Sequence, residues 1–73
     1  MAISQDRIIE LARSHKKSKI IHIKSGREYR VLGLLMFKID GQWHNSVHYY
    51  EDFTDSNYSR KFSDFEGFDE ARA

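Results

Sequence analysis

Few side chains in this sequence are placed for covalent chemistry. His44 and His48 stand four residues apart. On a helix they would lie one turn apart and could share a metal ion. On a strand the same spacing puts them on one face about 13 Å apart, too far for one ion. The residue after His44 is Asn45, so the Glu of the H-E-x-x-H zinc motif is missing. With no Cys in the chain, disulfides and thiolate zinc sites are excluded. No G-x-S-x-G elbow supports a hydrolytic triad, and neither G-x-x-x-x-G-K-[ST] nor G-x-G-x-x-G is present to cradle phosphates. No cofactor, no metal and no enzymatic activity are expected.

Binding chemistry is better represented. His44, Ser46, His48 and Tyr50 alternate along one stretch, with Arg60 further on. Imidazole, phenol and guanidinium groups combine apolar area with directional hydrogen bonds, which suits a protein interface. We expect His44, His48, Tyr50 and Arg60 to bind a partner, with Arg60 near the other three. Arg60 also has an acid four residues on, Asp64, to pair with. The segment Arg13-Ser-His-Lys-Lys-Ser-Lys19 is the densest basic run. Arg13, Lys16, Lys17 and Lys19 are candidate phosphate contacts, with Tyr50 and Tyr58 as stacking groups, so nucleic acid or a nucleotide is the alternative partner. The more ordinary role for these cations is a solvated helix end. Acids from Glu51 to Asp55, and again from Asp64 to Glu70, form the opposite patch.

The elements that must position these groups are legible from periodicity. Ser4 is a helix N-cap and Asp6 an acid for the first turn, while Ile8, Leu11, Ala12 and His15 make one apolar face. This predicts a helix over residues 4–15, too short to stand alone. The chain then turns to strands, first Ile20, Ile21 and Ile23, with a tight turn at Ser25-Gly26. From Tyr29 to Ile39 both parities are apolar, which predicts a strand covered on both faces, one by the sheet interior and one by the helix. If the helix leaves Leu32, Leu34 and Met36 uncovered, a two-fold homodimer is the simplest remedy. Gly33 marks a bend or bulge, and Asp40-Gly41 a hairpin turn. The returning strand, from Gln42 to Glu51, places Trp43, Val47 and Tyr49 in the core and His44, Ser46, His48 and Tyr50 on a wet face. A fourth strand is expected over residues 58–62 and a helical turn from Ser63, stopped by Gly67, with Phe65 and Phe68 inward. The residues from Asp69 to Ala73 are expected as a frayed tail.

Composition sets the scale. Seventy-three residues, 40% hydrophobic with ten aromatic rings, make one small domain. Nine basic residues against three acidic ones precede Ile39, and three against eight follow, for a net charge of +1. The two halves are therefore expected to neutralise each other across the fold. No apolar run reaches transmembrane length, so no membrane partner and a cytoplasmic location are expected.

The order Gly26-Arg-Glu-Tyr-Arg-Val-Leu-Gly33, then Trp43, Val47 and Tyr49, then Tyr58, Arg60 and Asp64-Phe65, resembles a family of small uncharacterised phage and bacterial domains. Those domains follow G-x-x-Y-x-V-L-G, W-x-x-x-V-x-Y and Y-x-R-x-x-x-D-F. The resemblance covers roughly residues 20–68 and implies an SH3-like β-fold and a bacteriophage source, with no catalytic residue to carry over. One departure is Leu34-Leu-Met-Phe37, where the family carries a charged, turn-rich insert. The expectation is an α+β domain over residues 1–73, an N-terminal helix followed by a small curled antiparallel sheet or SH3-like barrel of about four strands over residues 20–68. Its expected role is a non-enzymatic interaction module that binds and modulates or inhibits a host macromolecule, a host protein first, in the host cytoplasm.

Overall fold

A computed structural model describes residues 2–71. The chain forms α1 (Gln5–Ser14), β1 (Lys19–His22), β2 (Glu28–Ile39), β3 (Gln42–Glu51), β4 (Ser56–Lys61), a 3-10 turn (Phe62–Asp64) and β5 (Phe68–Glu70). The N-cap is Ser4, whose Oγ accepts from the Arg7 amide at 3.1 Å, satisfying one of the donors that every helix start leaves orphaned. The helix stops where His15 turns left-handed at φ 56°. Ile8, Leu11 and Ala12 are buried, as their spacing predicts.

The strands form one antiparallel sheet in the order β4-β3-β2-β1-β5. The β2–β3 hairpin turns through Asp40 and Gly41, both at positive φ, as a two-residue turn that follows the strand twist requires. Register slips once, between Val31 and Gly33, leaving Leu32 as the extra residue of a bulge. Asp69 and Glu70, expected as the start of a frayed tail, instead join Phe68 in a fifth strand, β5, on β1. Its ends are tied down: the Ile3 amide donates to the Phe68 carbonyl at 2.8 Å and the Ala71 amide to the Lys19 carbonyl at 3.0 Å. Glu70 also accepts two bonds from the Arg7 guanidinium, joining β5 to the helix. Arg72 and Ala73, the rest of the expected tail, lie outside the described residues.

Although β4 and β5 are the two outermost strands, the Arg60 guanidinium of β4 lies 5.2 Å from the centre of the Phe68 ring on β5. Five flat strands would separate those edges by roughly 19 Å at 4.8 Å per step, so the sheet is strongly curled. Among the described residues β4 and β5 do not pair, and the sheet remains open. Its concave face carries Ile20, Tyr29, Val31, Val47, Tyr49 and Phe68, which the register aligns. These rows meet Ile8, Leu11 and Ala12 of α1 and Phe65 in a single core.

The core ends part-way along the hairpin. β2 has twelve residues, about 40 Å of strand, whereas a ten-residue helix spans about 15 Å. Strand β1 pairs only as far as Arg30, and β4 reaches only to Ser46. The outer ribbon of β2 and β3 is therefore two strands wide and uncovered. Two expectations fail for this reason. Leu34, Leu35, Met36 and Ile39 are exposed, so β2 is not covered on both faces. Trp43 has the core parity of Val47 and Tyr49 but is 63% exposed, because neither α1 nor β4 reaches that end and its ring meets the Lys38 ammonium at 5.8 Å instead of a core. On the opposite parity Ser46 is fully buried, its hydroxyl donating to the Leu35 carbonyl at 3.4 Å. Among the described residues no helix is long and apolar enough to cross a membrane.

Candidate binding surfaces

Cross-strand register decides which candidate residues share a face. His44 opposes Phe37, His48 opposes Gly33 and Ser59, and Tyr50 opposes Arg30 and Asn57. All three point to the convex side, away from the core face. The His44 ring stacks on Phe37 at 5.6 Å between centroids, with 27° between planes. A ring nitrogen of His48 shares a hydrogen bond with the Asn57 side-chain carbonyl at 3.1 Å. Partial burial, and then a hydrogen bond with Asp52, push the Tyr50 phenol above its ordinary pKa. The same convex face continues outward through Leu35, Phe37 and Ile39. A shallow depression of about 230 Å³ lies there beside Leu35, His48, Asn57 and Ser59.

Arg60 is not with them. It opposes Val47, so its side chain points to the concave face, contrary to the expected grouping. Its Nε donates to the Tyr49 hydroxyl at 2.9 Å and its terminal nitrogen to the Asp64 backbone carbonyl at 3.4 Å, in place of the expected ion pair. Burial raises the Tyr49 phenol's pKa, and the Arg60 contact opposes that rise. Together with His22, Tyr29, Tyr58 and Phe68 these two residues line an aromatic cup of about 180 Å³. Tyr29 makes edge-on contacts with Tyr49, Tyr58 and Phe68, which holds the rings as one cluster. Sequence parity alone gives no sign of this cup, because it is closed by residues from both edge strands of the curled sheet.

The basic run divides. Arg13, Lys16 and Lys17 are exposed at and beyond the helix end, whereas Lys19 in β1 pairs with Glu28 at 3.4 Å. Arg30 bonds Asp52 at 3.1 Å and reaches the Lys17 carbonyl at the same distance. Arg30 holds the Asp52 carboxyl below the usual carboxylate range. Arg27 lies 3.8 Å from the nearly buried Glu51 carboxylate, which also accepts from the Thr54 hydroxyl at 2.9 Å. Arg27 and Arg30 from the basic half thus meet Glu51 and Asp52 from the acidic half, as the opposed charge balance predicts. Arg27, Glu51 and Asp52, with Lys19 and Glu28, line a cleft of about 440 Å³ beside the projecting Phe53, whose lining of mixed sign leaves no uniform field for an anion. Among the described residues no group of three or more His, Asp or Glu side chains could hold a metal ion. Compared with protein-family models, with curated proteins and with solved structures, the chain finds no match.

Proposed function

We propose that this protein is a non-enzymatic, SH3-like interaction module whose partner protein docks on the convex face of the β2–β3 hairpin. One observation carries the reading: Leu35, Phe37, Ile39, His44, His48 and Tyr50 share a face opposite the one that α1 covers. A core of this size has little use for apolar side chains on its outer surface, and such patches mark interaction sites. Histidine and tyrosine beside them supply hydrogen bonds at a docking rim. The family resemblance supports a bacteriophage source and a host protein as the partner, in the host cytoplasm. The exposed cations Arg13, Lys16 and Lys17 favour a second reading, in which the partner is nucleic acid or a nucleotide.

The test captures partners from a bacterial lysate on the parent protein and then measures each recovered partner in pure form. His48→Ala and Tyr50→Ala, both on β3, should leave folding intact and weaken docking by at least ~1 kcal/mol each. Equal binding by the parent and both variants would remove this face from consideration. Affinity that instead collapses between low and moderate salt, and is lost on nuclease treatment, would favour the basic helix end.

A further inference from the structure

We infer that the concave aromatic cup between the two edge strands binds a ligand that joins one planar aromatic ring to a carboxylate, with Arg60 as the partner of the anion. All five strands contribute to the cup: His22 from β1, Tyr29 from β2, Tyr49 from β3, Tyr58 and Arg60 from β4, and Phe68 from β5. Its walls are set before any ligand arrives. Tyr49 stacks on Tyr58 at 5.5 Å between centroids, and Phe68 packs against the buried Phe65 at 5.3 Å. His22 meets the Phe68 ring edge-on at 5.1 Å, while its Nδ1 shares a hydrogen bond with the Ser25 hydroxyl at 2.7 Å. Rings fixed in this way have little freedom left to lose on binding. A volume of about 180 Å³ suits one six-membered ring, since an apolar cavity of about 150 Å³ takes up benzene.

The charge of the cup selects the substituent on that ring. Arg7, Arg27 and Arg30 each face a carboxylate, whereas among the described residues no carboxylate forms an ion pair with Arg60. Its Nε and one terminal nitrogen bond neutral oxygens, the Tyr49 hydroxyl and the Asp64 carbonyl, and its remaining N–H donors are open. The guanidinium lies over Phe68 at the border between the cup and a second groove of about 410 Å³. Tyr49, Tyr58 and Arg60 line both. In that groove Lys61 and Asp64 carry opposite charges, which leaves the net charge of the two spaces with Arg60. A cationic ligand would be repelled there, and a neutral ring would cover the guanidinium without replacing its water. A carboxylate accepts from it in a charge-assisted pair. A phosphate monoester brings close to two negative charges to one uncompensated cation and is the poorer match. A free aryl-substituted carboxylic acid and the C-terminal aromatic residue of a protein chain both offer this chemistry. The cup lies on the concave face, opposite the docking face proposed above, so the two readings stand or fall separately.

Titration of the isotope-labelled chain with phenylpropionate and with its neutral amide, followed by nuclear magnetic resonance, tests the assignment. Phenylpropionate should bind with a Kd on the order of 1 mM, ordinary for a ligand of this size. It should shift the backbone signals of Tyr29, Tyr58 and Phe68 and leave those of His44 and His48 in place. The neutral amide should bind at least ~10-fold more weakly, the usual cost of losing a charged hydrogen-bond partner. Arg60→Gln should cost the acid about 10-fold and leave the affinity for the amide unchanged. Tyr58 is 41% exposed, so Tyr58→Leu should keep the fold, and by removing one wall it should weaken acid and amide alike. A tripeptide ending in phenylalanine with a free carboxylate separates the two sources. Binding tighter than that of phenylpropionate assigns the cup to a protein chain end, and binding no tighter assigns it to a small acid. No shift at the cup up to ~10 mM phenylpropionate would overturn the inference, since binding weaker than that is not specific. Equal affinities for acid and amide, or a Tyr58→Leu variant that binds as the parent does, would overturn it as well. So would a folded Arg60→Gln variant that keeps the parent's preference for the acid.

Discussion

The inner and outer halves of the β2–β3 hairpin both carry large apolar side chains but have opposite environments. Val31 and Val47 in the inner half are fully buried, whereas Met36 and Trp43, on the same face of the same two strands, are more than 60% exposed. Alternation fixes which face a side chain takes, but burial depends on what lies over that face. Here α1, the 3-10 turn and the curl of the sheet cover the inner half and stop short of the outer one. The inner half holds the fold together, and the outer half is a ribbon available for contacts.

The largest contrast between the halves should come from one substitution in each. Val31→Asp places an unpaired carboxylate in the core and should abolish the cooperative thermal transition, since total stability is only about 5 kcal/mol or little more for a domain of this size. Trp43→Ala should cost less than ~1 kcal/mol, although the sequence pattern alone marks Trp43 as a core ring whose loss would unfold the chain. Comparable losses from the two variants in thermal or urea unfolding would erase the distinction between the halves.

Most elements were legible because local signals agreed with the tertiary structure. The Ser4 cap, the Ile8, Leu11 and Ala12 stripe, the Asp40-Gly41 turn and the inward Phe65 and Phe68 all stand where spacing puts them. Phe68–Glu70 was not legible as a strand. It is three residues long with two acids, and what orders it is pairing with β1 and the Arg7–Glu70 contact from a distant helix. The candidate site was legible in part. Strand parity grouped His44, His48 and Tyr50, but Arg60 belongs to another strand, and only the β3–β4 register places it on the concave face. The aromatic cup and the uncovered ribbon depend on sheet curl and helix reach, which no local pattern encodes.

The smallest expected effect lies at the inner end of the hairpin. Because Arg30 lowers the Asp52 pKa in the folded state, the pair contributes stability above the ordinary carboxylate range near pH 4 and loses it as pH falls through the folded value. Asp52→Asn should therefore be less stable than the parent at neutral pH, with the gap closing on acidification. A gap that does not change from neutral to strongly acidic pH, followed by thermal melting, would mean that the Arg30–Asp52 pair adds nothing to the folded state.

The central claim, that the outer ribbon is bare until something docks on it, is tested most directly by the fluorescence of Trp43, the only tryptophan in the chain. At nanomolar dilution the folded protein should emit close to the wavelength of the urea-unfolded chain and be quenched by acrylamide nearly as readily. Emission well to the blue of the unfolded chain, with strong protection from acrylamide at the same dilution, would place Trp43 in a core and contradict the division of the hairpin.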